Sequence, residues 1–107
     1  MKVYLDDERT TPEGWVRTYW PEDTIALLTT GLVEQISLDH LGDDSRGTSY
    51  DVVLWIEEQV ALNGFKPPVI TVHSANTSAR HKMLLGIESI ERLASQKLHA
   101  GAATTVR

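Results

Sequence analysis

Lys2-Val3-Tyr4-Leu5-Asp6-Asp7-Glu8-Arg9 is the stretch on which the fold turns. Its apolar run is too short for a helix and apolar at every position, the pattern of a central parallel strand covered on both faces. It stops at two adjacent carboxylates. A second run, Glu34-Gln35-Ile36-Ser37-Leu38-Asp39-His40, stops the same way. A third, Val69-Ile70-Thr71-Val72-His73-Ser74-Ala75-Asn76, stops at an imidazole, a hydroxyl and an amide. In an open parallel sheet, ligands bind in the crevice beyond the strand C-termini. Three strands that end in reactive groups therefore predict one shared site.

Outward from these runs, the remaining elements fall into place. Glu8 to Trp15 holds Thr10, Thr11, Pro12 and Gly14, which is turn chemistry. Val16 to Trp20 reads as an edge strand. Pro21-Glu22-Asp23 opens a helix with Pro and acids in the first turn, an inner face of Ile25, Leu28 and Leu32, and Gly31 as its stop. Val33 to Leu38 is the next strand. Ser49 is read as the cap of a helix from Tyr50 to Leu62, with Val52, Val53, Ile56 and Val60 as its stripe and Asn63-Gly64 as its end. Val69 to Val72 is the last strand. A final helix, capped by Asn76 or Thr77, runs to about Lys97 with Met83, Ile87, Ile90 and Ala94 at helical spacing.

The order strand, strand, helix, strand, helix, strand, helix predicts an α/β fold: a three-layer, parallel sheet of four strands, order 2-1-3-4, with helices on both faces. One domain over residues 1–98 is expected, with 99–107 as a flexible tail. At 107 residues and 41% hydrophobic, the chain suits a single core. No run approaches the ~18 apolar residues of a membrane span, and no secretory leader is seen, so a cytoplasmic protein is expected. Without cysteine there are no disulfides or thiolate metal sites. A net charge of −5 argues against non-specific nucleic-acid binding, which needs clustered Lys and Arg. It leaves room for a small phosphate ester or an RNA end.

Asp6, Asp7 and Asp39 repel one another unless a cation bridges them, and a hard divalent ion such as Mg²⁺ or Mn²⁺ takes oxygen ligands. The bland alternative is a solvated acidic loop. An imidazole can both give and take a proton, so His40 and His73 can divide acid and base work on a cyclic phosphodiester; otherwise they are a loop residue and a packed residue. Ser74 and Asn76 are either caps or phosphate contacts at a helix start. Arg9 and Arg80 either add charged forks to a phosphate or form surface ion pairs. Trp15, Tyr19 and Trp20 can stack a base, although packing is the commoner use.

The layout resembles the response-regulator receiver fold, with Asp6, Asp7, Asp39 and Ser74 matching its paired acids, its phospho-acceptor and its hydroxyl. The fifth strand with its Lys, the fifth helix and the helix between the first two strands have no counterpart. A closer likeness is to the cyclic-phosphate processing receiver domain. Its motifs look like Leu5-Asp6-Asp7-Glu8-Arg9-Thr10-Thr11-Pro12, Ser37-Leu38-Asp39-His40-Leu41-Gly42 and His73-Ser74-Ala75-Asn76. Where that family has Asp after the His, this chain has Leu41, and Asp43 and Asp44 are the nearest acids in the loop.

The resemblance implies a metal-assisted phosphoesterase acting on a cyclic nucleotide or a 2′,3′-cyclic RNA end. Asp6, Asp7 and Asp39 would hold the cation, His40, His73 and Asp39 would carry the chemistry, and Ser74, Asn76, Arg9 and Arg80 would bind phosphate. The alternatives are a non-catalytic pseudo-receiver that binds a nucleotide or a protein, and a receiver phosphorylated on Asp39.

Overall fold

Short apolar runs punctuated by Gly and Pro become strands, and the longer amphipathic runs become helices, in the expected order. The computed structural model describes residues 1–39, 42, 43 and 47–106, with side chains over 1–39 and 47–96. His40, Leu41 and Asp44 lie outside the described residues, as does the side chain of Asp43. The strands and helices are β1 (Lys2–Leu5), β2 (Val16–Thr18), α1 (Pro21–Leu28), β3 (Gln35–Leu38), β4 (Gly42–Asp43), β5 (Gly47–Thr48), α2 (Ser49–Asn63), β6 (Val69–Val72) and α3 (Thr77–Val106).

Four strands form a parallel sheet in the order β2-β1-β3-β6. With the small antiparallel β4-β5 ladder set apart, this is the expected 2-1-3-4 order. Leu5 pairs with Thr18 and Leu38, and Leu38 pairs with Val72. The ladder then runs one residue further. The N–H groups of Asp6, Asp39 and His73 donate to the carbonyls of Thr18, Leu5 and Leu38 at 3.2, 3.0 and 2.9 Å. The three site-bearing residues therefore stand level at the C-terminal edge of the sheet.

Side chains alternate across a strand. Val3, Leu5, Ile36, Leu38 and Val72 face one way and bury against Leu28 of α1, Val52, Val53, Ile56 and Val60 of α2, and Met83, Ile87 and Ile90 of α3. All three helices feed this one core. Tyr4 and Ser37 face the other way, where Trp15 from the β1–β2 connection packs edge-on against Tyr4 at 6.1 Å. The receiver-like α/β fold stands, but a helical layer on this second face is not formed among the described residues. The reason is local: residues 6–15 are Pro- and Gly-broken and join β1 to β2 without a helix.

Smaller boundaries also differ. Thr48, not Ser49, caps α2: the Asp51 carboxylate accepts the Thr48 N–H at 2.7 Å, and Ser49 is buried in the first turn. Leu32 lies beyond α1 and is exposed rather than on its inner face. Helix α3 continues to Val106 rather than ending near Lys97, in keeping with the helix propensity of Ala100, Ala102 and Ala103. Among the described residues, no helix is long and apolar enough to cross a membrane.

Candidate functional site

Asp6 is the centre of the strand-end cluster, with a side chain 0% exposed. Its Oδ1 accepts the N–H groups of Glu8 at 2.7 Å and Arg9 at 2.9 Å, so the turn after β1 folds around this carboxylate. Its Oδ2 meets His73 Nε2 at 2.9 Å. Burial pushes the Asp6 carboxyl up, but the N–H groups of Arg9 and Glu8, and then His73, outweigh it and hold the group below its ordinary value.

His73 is anchored on every side that packing can reach. Its Nδ1 lies 2.7 Å from Ser37 Oγ, and its ring stacks on Tyr4 at 4.3 Å between centroids with the planes 4° apart. With Asp6 ionised, the Nε2–H donates to it and the Ser37 hydroxyl donates to Nδ1, which assigns the tautomer from the hydrogen bonds. Ser37 is buried, so it orients the ring rather than meeting a ligand. Neither Ser37 nor Tyr4 was assigned a role from sequence. The cue is their position: each precedes a site carboxylate by two residues and so shares its face of the sheet.

Arg9 reaches across the cluster. Its Nη1 donates to the His73 carbonyl at 2.6 Å and lies 3.5 Å from Asp6 Oδ2 and 3.4 Å from Asp39 Oδ1. The Arg9 side chain is 43% exposed and Asp39 19%, so this end of the site opens to solvent. Asp6, Asp39 and His73 each bring one ligand-capable atom to within 4.8 Å of one another. The two carboxylates fit a hard divalent cation such as Mg²⁺ or Mn²⁺ by donor type, while the His73 imidazole joins them only by giving up its Nε2–H bond to Asp6.

The other candidates are placed differently. Asp7 is exposed and stands outside the group of three. His40 lies outside the described residues. Ser74 Oγ accepts the Asn76 N–H at 3.0 Å, and Asn76 Oδ1 accepts the Ala79 N–H at 2.9 Å, so both cap the start of α3. Arg80 Nη1 donates to the Val72 carbonyl at 2.7 Å and ties α3 to the end of β6. Trp15 belongs to the Tyr4 stack, while Tyr19 is exposed beneath Arg17. The described geometry thus joins Asp6, Asp39, His73 and Arg9, with Ser74, Asn76 and Arg80 on the flank.

The family model described as the Cyclic-phosphate processing Receiver domain matches residues 1–89. No curated protein and no solved structure matches the chain.

Proposed function

The chain belongs to the cyclic-phosphate processing receiver domain family, and from that premise we propose that it is a metal-assisted phosphoesterase that opens a cyclic phosphate ester. The observation that carries this reading is the meeting of Asp6, Asp39 and His73 within 4.8 Å at one sheet edge, with Arg9 reaching in. Asp6 and Asp39 are the residues to hold a divalent cation, Mg²⁺ or Mn²⁺, with exposed Asp7 at the rim. Such an ion supplies Lewis-acid polarisation of a phosphoryl oxygen.

The chain's own residues supply the rest. Arg9, whose Nη1 donates to the His73 carbonyl and to Asp39, turns the rest of its guanidinium to the phosphate, whose geometry it matches as a fork. Ser37 fixes His73 from behind at Nδ1, and Nε2, whose proton Asp6 accepts in the free protein, is the nitrogen proposed to move a proton once the cation engages Asp6. His40, next to Asp39 in the chain, is its proposed partner in acid–base work. Water adds at phosphorus, one ring P–O bond breaks, and the freed alkoxide oxygen takes a proton. Ser74, Asn76 and Arg80 shape the flank on which the ester rests.

The test is ³¹P NMR of 2′,3′- and 3′,5′-cyclic nucleotides with Mg²⁺, with Mn²⁺ and with EDTA. Metal-dependent conversion to a monoester, lost in Asp39→Ala and in His73→Ala with the fold intact, is the expected result. Turnover that survives in His73→Ala removes that residue from the mechanism. No conversion with any metal by folded protein favours a second reading, a non-catalytic pseudo-receiver. One feature speaks for it: Arg9 lies against both carboxylates and offsets one of their two charges without an ion.

A further inference from the structure

A cleft of about 350 Å³ opens between the starts of α2 and α3. Its walls are the segments that leave the two catalytic strands. Thr48 and Tyr50 lie on the chain that follows Asp39, and Asn76, Ala79, Lys82 and Met83 on the chain that follows His73. Asn76, which lines the cleft, lies three residues beyond His73 in the chain. The floor is apolar, since Met83 is 1% exposed. Tyr50 is half-buried, and Lys82 Nζ sits over its ring at 4.1 Å from the centroid. The rim is polar, formed by Thr48 and Asn76. The volume lies at the small end of the ~300–1,000 Å³ range of ligand pockets, which suits one flat heterocycle better than a peptide.

We infer that this cleft takes the base of a nucleoside cyclic phosphate, stacked on Tyr50, so that the substrate class is a nucleotide and not a simple cyclic phosphodiester. The inference rests on the phosphoesterase reading for its substrate but not for its binding test. An aromatic face, an apolar floor and a few hydrogen-bonding groups at the rim are what a base requires. The ammonium of Lys82 covers the ring in the free protein. An exposed cation–π contact is weaker than a stacked base, so Lys82 gives way and is left near the sugar-phosphate. The pocket lies on the side of the sheet edge where α2 and α3 begin, while the Tyr4–His73 stack fills the opposite face. Base and phosphate therefore occupy separate places in this reading.

Two measurements test this. The first is an amide NMR titration of the whole chain with adenosine alone, which needs no turnover. Saturable shifts confined to Tyr50, Ala79, Lys82 and Met83 are expected, and shifts elsewhere or none overturn the cleft. The second compares kcat/KM for adenosine 2′,3′-cyclic phosphate with that for glycerol 1,2-cyclic phosphate. The ratio should fall roughly 5- to 150-fold in Tyr50→Leu, the worth of one stacked base, and hold in Tyr50→Phe. An equal loss on both substrates overturns the base subsite while leaving the phosphoesterase intact. Cleft shifts with adenosine but no turnover of either ester do the reverse. A short RNA with a 2′,3′-cyclic end, run beside the mononucleotide, tells which source of the same chemistry the cleft prefers.

Discussion

Asp6→Asn tests the heart of the cluster. The substitution keeps size and shape but removes the charge that three hydrogen bonds use, from Glu8 N–H at 2.7 Å, Arg9 N–H at 2.9 Å and His73 Nε2 at 2.9 Å. Bonds to a charged acceptor contribute about 1 kcal/mol more each than neutral ones, or about 3 kcal/mol for three. Relief from burying a carboxylate offsets part of this, which leaves a net loss of about 2 kcal/mol. In urea, at a slope of roughly 2 kcal/mol per molar, the unfolding midpoint falls by about 1 M.

The pH dependence is the sharper readout. The folded-state pKa of Asp6 is lowered, so its contribution is complete above the unfolded value of about 3.9 and is lost as pH falls through the folded one. The stability gap between wild type and Asp6→Asn should be constant above about pH 5 and close progressively below it. Other carboxylates cancel in the difference. A gap that stays constant to the lowest accessible pH, or widens, refutes the view that Asp6 is held ionised by its donors.

Gly86→Ala places a Cβ 2.6 Å from Val53 Cγ1, across the packing of α3 on α2. The helix-propensity gain of about 1 kcal/mol offsets part of an overpacking cost of about 1–3 kcal/mol, so the melting temperature should fall by several degrees; a rise would deny the close approach. Ser37→Ala frees His73 Nδ1, and long-range ¹H–¹⁵N NMR should show a mixed tautomer with a stability loss of about 1 kcal/mol. An unchanged tautomer would put its control with Asp6 alone.

Much of this arrangement is legible before any coordinates. The runs ending at Leu5, Leu38 and Val72 announce parallel strands, and the rule that such strands present ligands at their C-terminal ends picks out Asp6, Asp39 and His73. Less visible is what depends on register. Tyr4 and Ser37 are paired neighbours on β1 and β3, and only that pairing places them under His73. Arg9 reads as a phosphate contact, yet its bond to the His73 carbonyl spans 64 residues, and no local pattern encodes that. Asp7 looks equivalent to Asp6 in the sequence, but Asp6 is buried among its donors while Asp7 is exposed. The capping pattern of Thr48 and Asp51 is present in the sequence, but the adjacent Ser49 is an equally good capping type and competes with it. The missing helix between β1 and β2 was legible, and its consequence for the sheet's second face follows directly.

The charges at the sheet edge carry one further step. Among the described side chains, two carboxylates face one guanidinium, so the cluster is short of a positive charge. A phosphodiester brings another negative charge. At a separation of about 4 Å and an effective dielectric of about 20, repulsion between two unit charges is about 4 kcal/mol. A divalent cation reverses the sign of the cluster and turns that repulsion into attraction of similar size. Arg9 can join the exchange at little cost, because its side chain is 43% exposed and exposed ion pairs contribute about 1 kcal/mol or less. Metal and cyclic phosphate should therefore bind with positive coupling, and linkage requires each to tighten the other by the same factor. Calorimetric titration of Mn²⁺ with and without a slowly hydrolysed cyclic phosphorothioate should show a tenfold or greater gain. Independent binding of the two would mean that Arg9 stays on its carboxylates and that the phosphate is held elsewhere.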